Sequence, residues 1–167
     1  NRQAAEKQAA KNGRREEYTD YGTNPCSEII LRNKQFCNLT EVVVRPDDTM
    51  ASLRTKVEAA TILGTFQATL TNFRYLTSKW KHNTQEESLL GVSLTGIMDN
   101  IDMINGKIDL EYLKNLSVSI NKVWAKKLGI PQSAAITCVK PSGTVSQLVN
   151  SASGIHTRHS PYYLRTI

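Results

Sequence analysis

Apolar residues recur at steps of three or four over Ala59, Ile62, Leu63, Phe66, Leu70, Phe73 and Leu76, the spacing that lines one face of a long helix, with Asp48 or Thr49 as its cap. Leu113, Leu116, Ile120 and Val123 form a second such row, in a helix that begins near Asp109 and is stopped by Gly129 and Pro131. Elsewhere the period changes. The β-branched run Val42 to Val44, within residues 36–45 and closed by the turn Pro46-Asp47-Asp48, predicts a buried strand. Residues 134–139 read as another. The short apolar run 89–97 carries Gly91 and Gly96, which implies a strand passing close to a neighbour. Residues 162–167 read as a last strand, and residues 18–33, punctuated by Gly22, Asn24 and Pro25, as a loop with extended pieces. The first 17 residues are rich in Ala, Gln, Lys and Glu, which predicts an exposed polar helix ending near Gly13 and leaves residues 18–167 as one partial domain. Strands alternating with helices imply an α/β architecture with a mainly parallel sheet or barrel.

Composition narrows the class. Of the 167 residues 40% are hydrophobic and 22% charged, which excludes wholesale disorder. The longest apolar runs fall far short of the ~18–20 residues of a membrane-spanning helix, so no membrane partner is expected. Residues 1–17 are charged and do not read as a secretory signal, and the chain does not begin with Met, so an excerpt of a longer chain is expected. Three cysteines are too few and too odd in number for a disulfide-stapled domain, which points to the reducing cytoplasm. The net charge of +6 suits an anionic ligand. Much of the excess sits at Lys7, Lys11, Arg14 and Arg15 and at Lys122, Lys126 and Lys127, positions that read as solvated faces. Aromatic residues make up 7% and do not interleave with the basic ones, which argues against direct nucleic-acid binding.

Two clusters carry candidate chemistry. In Asn24-Pro25-Cys26-Ser27-Glu28 a thiol and a carboxylate two residues apart face one cavity if the backbone is extended. Cys26 with His156 would make a nucleophilic pair, but an activated thiolate wants a helix N-terminus or a basic neighbour, and Cys26 has Glu28 beside it. The pairing suits instead a neutral S–H or S• species with the carboxylate working separately as a base. Zinc is a poor reading of Cys26, Cys37, His156 and His159, which lack any Cys-x-x-Cys knuckle. The second cluster, Pro141-Ser142-Gly143-Thr144-Val145-Ser146, follows a strand and turns backbone N–H groups toward an anion, without the Gly-Lys-Ser/Thr ending of a P-loop. An ordinary turn accounts for it equally well.

Together these residues resemble the catalytic half of the ribonucleotide reductases, most closely the adenosylcobalamin-dependent class II enzymes. The resemblance rests on Gly22-Thr23-Asn24-Pro25-Cys26-Ser27-Glu28, Phe36-Cys37-Asn38-Leu39-Thr40-Glu41, Gly91-Val92-Ser93-Leu94-Thr95-Gly96, and Lys140-Pro141-Ser142-Gly143-Thr144 with its Ser-Gly-Ile-His tail, in the family's order. It implies the second half of a ten-stranded α/β barrel with a central finger loop. It implies that Cys26 becomes a thiyl radical taking the 3′ hydrogen of a ribose, that Glu28 takes the 3′-hydroxyl proton, and that Asn24 hydrogen-bonds the ribose hydroxyls. Cys37 would be one of two reducing thiols, its partner lying on an earlier strand outside this sequence, and Cys138 would belong to the core. Backbone N–H groups of Ser142, Gly143, Thr144 and Val145 would hold the phosphates of a ribonucleoside di- or triphosphate. The implied cofactor is adenosylcobalamin, no metal is implied, and the implied partners are the remaining N-terminal portion and a thioredoxin-like reductant. A class I large subunit and a non-catalytic nucleotide-phosphate-binding module remain the alternatives. The family usually has Gly at Ser27, which predicts a negative φ there, and His-Pro-Arg where this chain has His156-Thr157-Arg158. The cysteine of this motif is also a site where self-splicing inteins insert in the family, and Ser27 suits such a junction.

Overall fold

A computed structural model describes residues 2–13, 15, 20–158, 160, 162 and 164. Helix α1 (Arg2–Asn12) ends at Gly13, whose φ of +64° supplies the left-handed stop expected there. It is not exposed all round, because Ala5 and Ala9 are buried. Strands β1 (Tyr21–Thr23) and β2 (Ile30–Arg32) pair antiparallel as a hairpin where the sequence predicted a loop with extended pieces. Strand β3 (Asn38–Val43) leads through the Pro46 turn to α2 (Met50–Gln67). Helix α3 (Ser78–Glu87) precedes β4 (Leu90–Thr95), which pairs parallel with β3 from Asn38↔Leu90 to Val43↔Thr95. A 3-10 turn (Ile97–Asp99), the single turn α4 (Ile101–Ile104), α5 (Leu110–Leu128) and the short α6 (Thr144–Leu148) complete the order.

The predicted strand at 134–139 is extended rather than regular. It runs beside β4 through Leu90 N to Ala135 O (2.9 Å), Val92 N to Ile136 O (2.8 Å) and Cys138 N to Val92 O (3.1 Å), with one parallel bridge at Thr137. The sheets are small, and the architecture is mixed α/β. Of the last predicted strand, Tyr162 and Leu164 are not in a strand and the rest lies outside the described residues. Among the described residues no helix is long and apolar enough to cross a membrane.

Both long helices form where predicted but bury different rows. Thr49 caps α2, its hydroxyl accepting from Ser52 N while Ser52 Oγ accepts from Thr49 N. The helix stops at Gln67, so Leu70, Phe73 and Leu76 lie beyond it, and Leu63 is 64% exposed. Its packed face is Leu53, Val57, Thr61, Gly64 and Thr65. Small and hydroxyl residues win that face because they permit close approach: a Cβ on Gly64 would lie 3.3 Å from Leu90. The two threonines satisfy their hydroxyls on the carbonyls of Val57 and Thr61 at 2.7 Å, so their burial leaves no orphan donor. Helix α5, capped by Asp109 and ended by Gly129 at φ +69°, likewise buries Leu113, Ser117, Asn121 and Ala125, and leaves Val123 exposed. Asn121 bridges Thr65 and Ser133 from α5.

The core divides by sheet face. Val42 and Val44 pack with Leu53, Val57, Ile108 and Leu113, and Leu90 and Val92 with Ala68 and Ile136. On the other side Ile29, Leu89 and Ala134 gather Leu31, Leu39, Cys37 and Cys138. The hairpin therefore docks on the face that carries two of the three thiols.

Candidate active site

The turn at the end of the β1–β2 hairpin presents Cys26. Asn24 builds it: Ile29 N donates to Asn24 Oδ1 at 3.1 Å, Ser27 N to Asn24 O at 2.9 Å, and Asn24 N to Ile29 O at 3.4 Å. Pro25, Cys26 and Ser27 are exposed on it, while Glu28 turns back and is half-buried. Glu28 Oε2 is buried, and among the described residues nothing donates to it. A buried carboxylate oxygen without a donor is costly, and such exceptions concentrate where a ligand or a reacting group completes the set.

Cys37, just before β3, and Cys138 pack on the same cluster beneath this turn. Burial, then the neighbouring Cys138 and Glu28, push the Cys37 thiol up to about 12. Burial and Glu28 push Cys138 up to about 11. Both thiols therefore hold their protons more tightly than an ordinary cysteine does. Cys138 belongs to the packed interior as expected, but it faces Glu28 and the second thiol as well.

Strand β4 lays this site out along one face. A Cβ on Gly91 would lie 2.4 Å from Leu39 Cδ2, 3.0 Å from Cys138 Sγ and 3.2 Å from Ile29 Cδ1, so the glycine is what lets the hairpin and both flanking segments meet. Two residues on, Ser93 Oγ accepts from Lys140 N at 2.9 Å. Two further on, Thr95 Oγ1 accepts from Gly154 N at 2.8 Å and donates to Ala152 O at 3.2 Å. Alternate residues share a strand face, so the thiol cluster and the loop after Val139 lie along one line about 13 Å long. Ser93 and Thr95 were not picked out individually as site residues, although small residues at period two mark such a face.

In that loop Ser142 is buried and its Oγ has no partner among the described residues, and Gly143 precedes α6, whose first turn has no side-chain cap among them. Thr144 and Val145 are exposed. The following segment is held by Arg158, which donates to both Asp99 carboxylate oxygens (2.8 and 3.1 Å) and to Asn150. Those bonds hold the Asp99 carboxyl below the usual carboxylate range. Thr157 in place of proline therefore leaves the path of this loop defined. His156 is exposed two residues past Gly154, at the Thr95 end of β4, whereas the Cys26 hairpin meets β4 at Gly91. His159 lies outside the described residues.

No protein-family model matches the chain. The adenosylcobalamin-dependent ribonucleoside-triphosphate reductase of Lactobacillus acidophilus is 28% identical to it over 87% of this chain and 23% of the reductase. That of Lactobacillus gasseri is 29% identical and that of Lactobacillus helveticus 26%, with the same coverage. A crystal structure of a B12-dependent class II ribonucleotide reductase superposes with a TM-score of 0.64 at 25% identity, over 81% of this chain and 22% of that one. Over most of its length the chain is similar to class II ribonucleotide reductases. It spans about a quarter of the length of the reductases it matches.

Ser27 stands where the resemblance implies glycine, and the geometry accounts for that expectation. Ser27 has φ +63°, the left-handed region, and not the negative φ predicted for it. An L side chain there costs about 1–2 kcal/mol, a strain of the kind that collects at functional loops. Ser27→Val in the full-length protein is expected to lose stability beyond the strain Ser27 already carries, by about 1 kcal/mol, because a β-branched residue suits this region worst. Ser27→Gly should match wild type or slightly exceed it, the relieved strain being offset by glycine's greater unfolded-state entropy. Denaturant titration of the three proteins checks the order.

Proposed function

We propose that this chain carries the reacting thiol loop of a ribonucleotide reductase that reduces ribonucleoside triphosphates, the substrates named for its relatives. The observation that carries the reading is the Asn24 turn, which pairs an exposed thiol at Cys26 with a buried, donor-less carboxylate oxygen at Glu28. In this reading β3, β4 and residues 134–139 are strands of a barrel wall and the β1–β2 hairpin is the finger inside it.

Cys26, as a thiyl radical, removes the 3′ hydrogen atom of the ribose and later returns one. Glu28 accepts the 3′-hydroxyl proton at Oε2, and Asn24 orients the ribose hydroxyls. The 2′ oxygen leaves as water. Cys37 and a second cysteine outside these residues supply two electrons and two protons and end as a disulfide, which a thioredoxin-like reductant reopens. The backbone N–H groups of Ser142 to Val145 hold the phosphates, farther along the β4 face that carries the thiols. Adenosylcobalamin, when bound, supplies homolytic radical initiation, and an exposed free thiol such as Cys26 fits that chemistry. Three free cysteines fit a reducing, cytoplasmic setting.

The test is a single turnover of the full-length protein with adenosylcobalamin and a ribonucleoside triphosphate, without external reductant, followed by peptide mapping. One deoxynucleotide per active site is expected, with Cys37 in a disulfide to a cysteine outside this chain. A dominant Cys26–Cys37 or Cys37–Cys138 bridge would assign the reductant thiol elsewhere, since a Cys26 locked in a disulfide cannot reform the radical.

A further inference from the structure

The hairpin bearing Cys26 is too short to hold its own geometry. Its strands have three residues each, and an isolated two-stranded hairpin is at best marginally stable. What fixes it lies beneath its base. Glu87, the last residue of α3, is 1% exposed, and its carboxylate gathers donors from separate segments. Arg15 Nε donates to Glu87 Oε1 at 2.9 Å and Arg15 Nη2 to Oε2 at 3.0 Å, a bidentate pair. Gln35 Nε2 donates to Oε2 at 2.6 Å, and Arg32 Nε lies 3.8 Å from the same oxygen. Arg15, one of the residues read from sequence as a solvated charge, is itself 6% exposed.

The pair reaches the loop through the hairpin's own backbone. Arg15 Nη2 also donates to Ile30 O at 2.8 Å, and the guanidinium lies 4.9 Å from the Tyr21 ring centroid, so Arg15 touches both strands. Ile30 pairs with Thr23, and the next residues inward are Ile29 and Asn24, whose hydrogen bonds close the Cys26 turn. One guanidinium and one strand rung thus separate Glu87 from that turn. On its other side the Glu87 carbonyl accepts from Ala134 N at 2.9 Å, at the start of the segment that leads to Cys138.

Hydrophobic residues could hold a hairpin base as firmly, because desolvation offsets much of a buried pair's attraction. What a planar guanidinium adds is direction, since its donors lie in a fixed fork. We infer that Arg15 and Glu87 are positioning residues that set the height and orientation of Cys26 and Glu28 over the thiol cluster. The inference rests on the proposed role of Cys26.

The test uses the full-length protein and the double variant Arg15→Met/Glu87→Gln, which removes both charges of the pair and leaves Arg32 its partner Glu86. Its KM for the ribonucleoside triphosphate should equal that of wild type, while kcat falls about 10²-fold, the scale set by a misplacement of about 1 Å. Lys56→Met, which breaks the Lys56–Asp48 pair away from the hairpin, should leave both constants unchanged. A folded double variant with wild-type kcat overturns the inference, as does a loss carried by KM alone. If the double variant fails to fold, Arg15→Lys decides, since it keeps the charge and loses the fork: lowered kcat at constant KM supports positioning, and wild-type kcat overturns it. Cys26→Ser assayed alongside separates the two ideas. Turnover by Cys26→Ser removes the reading of the loop and the inference with it, whereas an inactive Cys26→Ser beside fully active Arg15 variants removes the inference alone.

Discussion

Cys26→Ser in the full-length protein is expected to bind nucleotide as wild type does, to form no deoxynucleotide, and to show no cofactor-dependent thiyl signal by electron paramagnetic resonance. Cys26 is exposed on a turn whose hydrogen bonds are made by Asn24 and backbone groups, so the substitution disturbs no packing and should change stability by no more than about 0.5 kcal/mol. What changes is the bond to hydrogen. An O–H bond is much stronger than an S–H bond, so a serine cannot exchange a hydrogen atom with its surroundings at the same free-energy level. A thiol acting as a nucleophile would lose activity too, but would show no radical signal in the wild-type protein. Substantial turnover by Cys26→Ser, or wild-type turnover without the signal, would show that the sulfur is not the radical carrier.

Short-range features of this chain were legible from its sequence, and the failures share a physical cause. The cap at Thr49, one of the two residues expected there, the start of α5 at Asp109, the stops at Gly13 and Gly129, and the close approach at Gly91 depend on local residue chemistry, and each occurs where the sequence placed it. The candidate thiol, carboxylate and amide were legible because they fall within five consecutive residues of one turn. The packed face of α2 was not, because hydropathy follows Leu63 and Phe66 while close packing against Leu90 selects Thr61, Gly64 and Thr65. Arg15 and Glu87 are separated by 72 positions, so no local pattern marks either as buried. Cys138 was read correctly as packed, yet its place opposite Glu28 depends on the parallel alignment of 134–139 with β4, which a single sequence does not display. The sign of φ at Ser27 escaped because the residue type opposed the turn geometry, and the turn won at the cost of local strain.

Glu28→Gln is expected to keep the substrate KM and lower kcat by ~10²–10⁴-fold, the range for a positioned acid–base group, which corresponds to about 3–5 kcal/mol in the barrier. Glutamine matches the size of the side chain and can still accept a hydrogen bond, so binding through a ribose hydroxyl survives. It cannot take the proton. The buried Glu28 Oε2, with no donor among the described residues, is the position at which a substrate hydroxyl would supply the missing bond. The same variant has a second readout. Burial does most to raise the thiols of Cys37 and Cys138, and the negative charge of Glu28 raises both further. Removing that charge should let both fall while burial keeps them above the ordinary cysteine value, so less alkaline solution suffices to titrate them. The thiolate absorbance followed against pH in both proteins measures this. A lowered kcat together with lowered thiol values places the carboxylate both in the chemistry and over the two thiols. Unchanged kcat with the thiol shift intact would take Glu28 out of the mechanism and leave its field on Cys37 and Cys138 as its effect in the site.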